Sequence, residues 1–413
     1  MDKQDFESEI EQQAGEQDQD NEQDQANEQD QTNKHRKAKK ILLLSGTILS
    51  VLLLIFAWLL FTKNGRRVIY RIAGGIIYQG IDSDEDIEAS SVIVPIEKET
   101  NKNEKNTAKA KDNDKEIDPN EPVIENEELI PYILPDPRQE DYVSNYLLFG
   151  LEEFFSAKNA DSIMIASINT QDSTIKLSSI LRDTYIETDE YRPNKINAFF
   201  GMGGAKTFVK IIEDNYRIKI DGYAYINFEA FESIIDYLGG ISIELGEEEA
   251  KYLNTTNYIS NPANRTVIPG WNDLNGNQAL GYCRIRLVET IGGANDDYGR
   301  TLRQRKVLRA IFNKYKSKGL LDLIRISNNI LGNVKTNVTK QQIEKALENI
   351  IENKISKMET MRLPVNGAYE APTQYQGVGY PLVYDWDENI IQLYQFIYLD
   401  TREEAMSNLD KYK

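Results

Sequence analysis

Residues 41–61, ILLLSGTILSVLLLIFAWLLF, form an uncharged apolar run of 21 residues. At about 1.5 Å per residue, a helix of this length crosses a hydrocarbon core of about 30 Å. The run has no polar face and about forty residues precede it. It therefore predicts a transmembrane helix and not a core helix or a cleaved signal peptide. Lys34, Arg36, Lys37, Lys39 and Lys40 flank one side, and Lys63, Arg66, Arg67 and Arg71 the other. This modest basic excess, with a short tail before the span and a large domain after it, predicts a cytoplasmic N-terminus and an extracytoplasmic domain at a cell membrane.

Charge is distributed around that span and not through the domain. The whole chain carries −18 over 413 residues: residues 1–33 carry −11, 34–81 carry +9, 82–141 carry −12, leaving −4 for 142–413. Segments so acidic and so poor in apolar residues cannot bury enough surface to offset chain entropy. The expected organisation is a disordered acidic tail with a basic flank (1–40), the span (41–61), an acidic linker (62–141), one α/β domain (142–400) and a short tail (401–413). In the domain, apolar runs at 145–150, 162–168 and 175–180 read as buried strands. Segments 205–216, 228–240, 300–319, 339–355 and 386–398 read as helices. Strands and helices interleave without an internal repeat, which predicts a single mixed-sheet α-β-α domain.

The chain has one Cys, Cys283, and one His, His35 in the tail. A His-based triad, a two-His zinc site, a His-ligated haem and a Cys-rich metal site are thereby excluded. Cys283, between apolar residues, reads as a small buried hydrophobe. Carboxylates, Arg, Lys and a hard cation remain for chemistry. Arg284 and Arg286 in GYCRIRL are two apart on an expected strand, so both would point to one side. Arg300, Arg303 and Gln304 in GRTLRQR are spaced i, i+3, i+4 on one helical face, and Arg182 with Asp183 follows the strand at 175–180. Converging guanidinium groups match the oxygens of a multiply charged phosphate.

The order LLFG, ADSIMIASIN, KLSSILRDTYIE, NKINAFFGMGG, FEAFESIIDYLGGISIEL, LNGNQALGYCRIR and DDYGRTLRQRKVLRAI resembles the LytR-CpsA-Psr family over about residues 142–320. The resemblance implies a membrane-anchored phosphotransferase that moves an anionic glycopolymer from a polyprenyl-pyrophosphate carrier to peptidoglycan, with no nucleic-acid partner. Carried over by motif, it implies catalytic roles for Arg182, Asp183 and Arg300. It implies substrate binding by Lys195, Arg284, Arg286, Asp297, Arg303 and Gln304, and Mg²⁺ ligation by Glu152 and Asp161. Two positions depart from the family pattern: Glu152 stands for an Asp, and Leu181 for the Pro before Arg-Asp, which implies a less rigid presentation of Arg182. Mg²⁺ suits such a site because it commonly takes one or two carboxylates together with substrate phosphates. Apolar helical faces carrying Phe199, Phe200, Phe208, Val209, Ile212, Phe231, Ile234, Ile235 and Leu238 could line a slot for a lipid tail, though most such residues are ordinarily core. A non-catalytic binder of polyprenyl phosphates or polyanionic glycans, and a pyrophosphatase, are the alternative readings of the same Arg cluster.

Overall fold

A computed structural model describes residues 54–84, 134–154, 157–316 and 318–413. Most of the expected membrane span, the acidic tail and the central part of the acidic linker lie outside these residues. Residues 54–61 are helical, with Leu54, Ile55, Phe56, Trp58, Leu60 and Phe61 exposed. No helix among the described residues is long and apolar enough to cross a membrane. The chain divides into two units, residues 1–71 and 72–413.

The larger unit is built on a seven-stranded mixed sheet. Its strands are β1 (Asp82–Ser83), β2 (Val143–Phe154), β3 (Ala157–Asn169), β4 (Thr174–Ile180), β5 (Gly222–Ile226), β8 (Lys335–Thr336) and β9 (Lys357–Leu363), in the order β1-β8-β5-β2-β3-β4-β9. A separate antiparallel hairpin pairs β6 (Ile241–Leu245) with β7 (Gly270–Leu274). The helices are α1 (Lys63–Gln79), α2 (Phe199–Tyr216), α3 (Phe228–Tyr237), α4 (Glu247–Thr255), α5 (Gly276–Arg284), α6 (Asp296–Tyr315), α7 (Leu320–Ile330), α8 (Lys340–Glu352), α9 (Trp386–Tyr398) and α10 (Arg402–Tyr412).

The period-2 alternation of the strands assigns their two faces. Leu147, Phe149, Ile163, Ile165, Ile180 and Leu363 enter one core with Phe199, Phe208 and Ile212 of α2 and Leu393, Tyr394 and Ile397 of α9. A smaller core beyond the opposite face joins Ile235, Leu245, Leu253, Tyr282, Ile285 and Val307 from the hairpin and helices α3 to α6. Between that second core and the sheet lies a cavity.

Local signals set the elements around it. Asn227 caps α3 by accepting from Ala230 N, a use of the side chain that satisfies an orphan amide. Gly239 and Gly240 then end the helical run with φ of 71° and 77°, and a Cβ on Gly240 would stand 2.8 Å from the Leu274 carbonyl. That combination excludes other residues at Gly240.

Three expectations are corrected here. Arg284 is the last residue of α5 and not part of a strand, because the Asn275–Gln278 capping box starts a helix whose first eight residues are all buried. A short apolar run buried on every side has no periodicity to tell helix from strand. The expected linker at 62–141 contains α1 and the paired strand β1, with Ala73 and Ile77 buried. The expected tail at 401–413 is α10, whose Ala405 and Leu409 enter the main core.

Candidate active site

The cavity encloses about 490 Å³ and is lined from both sides. Leu148, Gly150, Ser162 and Met164 form its floor on β2 and β3. Its polar end gathers Glu152, Asp161, Arg182, Arg284, Arg286, Arg300 and Gln304. Farther along the helices it is apolar, with Phe231 and Ile234 of α3 and Val307, Leu308 and Ile311 of α6, while Phe228 lies under Arg284.

Asp297 organises the guanidinium groups. Its carboxylate lies 2.9 Å from Arg286 Nε, 3.3 Å from Arg300 Nη2 and 3.5 Å from Arg182 Nε. Arg182 also pairs with Asp161 through a short contact. Arg284 lies 3.8 Å from Glu152 and stacks 4.8 Å above the Phe228 ring centroid. Gln304 accepts from Ser162 Oγ at 3.1 Å. The Nε groups of Arg182 and Arg300 are buried without a hydrogen-bond partner. Unsatisfied charged donors in a buried cleft are costly unless a ligand supplies acceptors. Burial depresses the affinity of Arg300 for its proton, and Asp297 only partly restores it against the repulsion of Arg182 and Arg286.

The two carboxylates form a pair. A hydrogen bond shared with Asp161, aided by burial and by the charge of Asp161, pushes Glu152 up to about 6. Burial works against ionisation of Asp161, but the bond from Glu152 and the Arg182 guanidinium hold it below the usual carboxylate range. Two adjacent carboxylates that share a proton offer the same position to a divalent cation. Among the described residues no group of three or more His, Cys, Asp or Glu could hold a metal. Glu152 and Asp161 are a two-carboxylate donor set of the kind Mg²⁺ takes when substrate phosphates and water complete its shell.

Leu181 presents Arg182 by a bond that a proline could not make. Its N–H donates to the Leu363 carbonyl at 3.0 Å and continues the β4–β9 pairing by one residue. The expected looseness at this departure is thus offset by a backbone hydrogen bond.

Four expected site residues do not line the cavity, and the first, Asp297, acts only through the arginines it pairs with. Asp183 and Lys195 pair with each other at 2.9 Å beside it. Arg303 is fully buried, with Nε on Glu249 at 2.7 Å and its two Nη groups on the carbonyls of Ile285 and Val288 at 3.0 and 2.8 Å. Every direction of its fork is occupied by protein, so Arg303 holds the turn that carries Arg286. Of the apolar residues expected to form a lipid slot, Phe231 and Ile234 line the cavity, while Phe199, Phe200, Phe208, Ile212 and Ile235 are core. Sequence reading missed Val307, Leu308 and Ile311. Their spacing from Arg300 and Gln304 extends the same helical stripe, which was the available signal.

A mixed α/β domain whose cavity joins a guanidinium clamp to an apolar slot defines a protein shaped for an anionic amphiphile. The chain belongs to the LytR_cpsA_psr family, whose model matches residues 92–388. It is 30% identical over 227 residues to the polyisoprenyl-teichoic acid–peptidoglycan teichoic acid transferase TagU of Bacillus mycoides, covering 54% of this chain and 68% of that one. The namesake from Bacillus licheniformis is 32% identical over 199 residues, covering 47% of this chain and 59% of that one. The crystal structure of protein gbs0355 from Streptococcus agalactiae shares the fold at a TM-score of 0.50 and 21% identity, over 65% of this chain and 88% of that one.

Proposed function

We propose that this protein transfers an anionic glycopolymer of the teichoic-acid type from a polyprenyl-pyrophosphate carrier to peptidoglycan. The observation that carries the reading is the continuity of the cavity, with an arginine clamp at one end and an apolar slot between α3 and α6 at the other. A pyrophosphate attached to a polyprenyl chain has this same division. The names of the two transferases to which the chain is similar support the reaction.

In this reading Arg182 and Arg300 offer guanidinium donors to the pyrophosphate, and Arg284 and Arg286 add charge from the turn after α5. Asp297 keeps three of the four guanidinium groups in place before substrate arrives. Transfer of this kind depends mainly on positioning and on stabilising charge that develops at the phosphoryl oxygens. An acceptor hydroxyl of peptidoglycan attacks the phosphorus attached to the glycan, and polyprenyl phosphate leaves. Glu152 and Asp161 would hold Mg²⁺, which would supply charge neutralisation at the phosphates. Asp183 and Lys195, paired beside the cavity, support the Arg182 turn.

The run 41–61 serves as a single membrane anchor, with the N-terminus cytoplasmic and the domain outside. Its charge-free length and the exposed apolar side chains at 54–61 support this. External protease on spheroplasts is expected to cut near residues 98–118 and yield a shortened domain fragment on a denaturing gel; cleavage confined to residues 1–33 would reverse the topology.

The test of the function uses purified full-length protein, a lipid-pyrophosphate glycan, peptidoglycan oligomers and Mg²⁺, with products read by mass spectrometry. A glycan joined to peptidoglycan through a phosphodiester is expected. Glycan phosphate released without joining would make the protein a pyrophosphatase, and intact substrate a non-catalytic binder.

A further inference from the structure

Arg305 lies one residue beyond Gln304 on α6, on a different side of the helix from the cavity, which it does not line. It is 8% exposed, and its Nη1 is buried without a hydrogen-bond partner. The charges that act on it are those of Arg362 on β9 and Arg309 one turn along α6, and both are repulsive. Burial and these two neighbours together push Arg305 down to about 10. Arg309 reaches Thr360 Oγ1 at 3.4 Å, and Arg362 lies 4.4 Å from the Tyr298 ring centroid. Among the described residues none of the three makes an ion pair with a carboxylate. This differs from Arg303 two residues earlier, whose fork is fully met by Glu249 and two carbonyls.

The surroundings are those of an anion site. Arg362 and Thr360 alternate onto the face of edge strand β9 that meets α6. Ser179, aligned with Arg362 in the parallel pairing, has a buried hydroxyl with no partner. Arg362 donates to Asn366 Oδ1 at 2.5 Å and borders a shallow concavity of about 560 Å³ with Gln392 and Gln395. Arg309 is exposed and Arg362 half-buried, so the site opens to solvent. Along α6 it stands only about 7.5 Å from the level of Arg300, from five residues at the helical rise. A buried charge with like charges for neighbours is destabilised, and an anion that completes the set relieves it.

We propose that Arg305, Arg309 and Arg362 form a second anion site, outside the cavity, that takes a phosphodiester of the polyanionic glycopolymer while its pyrophosphate end occupies the arginine clamp. The inference rests on the transferase reading for the identity of the polymer, and its test measures binding alone. The second site gives the enzyme a grip on the repeating part of its substrate, so a polymer is held better than its linkage unit.

The experiment titrates purified full-length protein with lipid-free poly(glycerol phosphate) and, separately, with inorganic pyrophosphate and inorganic phosphate, at two salt concentrations. Arg305→Gln and Arg362→Gln are each expected to weaken polymer binding about tenfold or more, as loss of a charge-assisted hydrogen bond does. They should also flatten its salt dependence and leave pyrophosphate affinity unchanged. Arg286→Gln should weaken pyrophosphate instead. Arg305→Gln should melt at or above the wild-type temperature, because it removes an uncompensated buried charge; should it fail to fold, half-buried Arg362 carries the test. Unchanged polymer affinity in a folded Arg305→Gln or Arg362→Gln protein overturns the proposal. So does inorganic phosphate that competes as well as the polymer at equal phosphate concentration, since the site would then select no polymer. Failure of the transferase reading would appear separately, as absent transfer with these binding differences intact.

Discussion

Arg303 offers the sharpest test of how the clamp is held. Its side chain and that of Glu249 are both fully buried and 2.7 Å apart, and Glu249 also accepts from Gly246 N at 2.9 Å to start α4. Replacing Arg303 by Met strands a buried carboxylate, which costs about 3–5 kcal/mol, and leaves the carbonyls of Ile285 and Val288 without their donors. In a domain of this size, roughly 10 °C of melting temperature should be lost. The double variant Arg303→Met/Glu249→Met removes the stranded charge as well, so it should recover more than half of the loss, and with Glu249→Met as the second single variant the cycle gives the coupling of the pair. High salt should change neither value, because the pair is out of reach of solvent. Thermal unfolding of the purified proteins, followed by intrinsic fluorescence, supplies the numbers, and pyrophosphate titration of the same samples supplies the function. If Arg303→Met melts like wild type yet binds pyrophosphate as poorly as Arg286→Gln, Arg303 touches substrate and its assignment as the anchor of the turn is wrong.

The remaining predictions concern the cavity itself. Arg182→Lys keeps a charge but loses the planar fork that meets Asp161 and Asp297, so transfer should fall about 10²-fold with the melting temperature held; full activity in steady-state assays would reduce Arg182 to general electrostatics. Asp161→Ala should abolish the dependence of turnover on Mg²⁺ and the stabilisation that Mg²⁺ with pyrophosphate gives to the folded state, whereas retention of both in activity and melting assays would remove the carboxylate pair from metal binding. Cys283 is buried and its thiol pushed up to about 12, chiefly by burial. A raised thiol pKa means that the thiolate is absent below that range, so Cys283 should resist alkylation at pH 8 in the native protein and react after denaturation; fast native labelling by mass spectrometry would contradict its burial.

Much of this arrangement was legible in the sequence because it follows from short-range order. The strands at 145–150, 162–168 and 175–180 and the helix at 386–398 lie within or on β2, β3, β4 and α9, since each carries its own periodicity and punctuation. Arg182, Arg284, Arg286 and Arg300 converge as expected, although the route for Arg284 differs: a helix end and an extended Ile285, with ψ of 132°, bring Arg284 and Arg286 to the same cavity that a strand would have served. The segments 62–84 and 401–413 were misread because their burial depends on partners distant in the chain. β1 pairs with Lys335 and Thr336, and the Tyr412 carbonyl at the end of α10 accepts from Arg217 Nε.

Arg303 and Arg305, two of the three buried arginines of α6, show where such reading stops. Arg300, Gln304, Val307, Leu308 and Ile311 form the stripe that faces the cavity, and Arg303 and Arg305 flank Gln304 on either side of it, each about 100° away around the helix. From the sequence the two flanks are equivalent, because periodicity states which residues share a face and not what lies beyond its edges. On one flank α4 delivers Glu249 from 54 residues earlier, and Arg303 becomes a closed structural joint. On the other flank β9 delivers Arg362 and Thr360 from more than fifty residues later, and no carboxylate comes with them. The same side chain in the same helix is therefore neutralised by the fold at one position and left for a ligand at the other, and only the partner strands decide which.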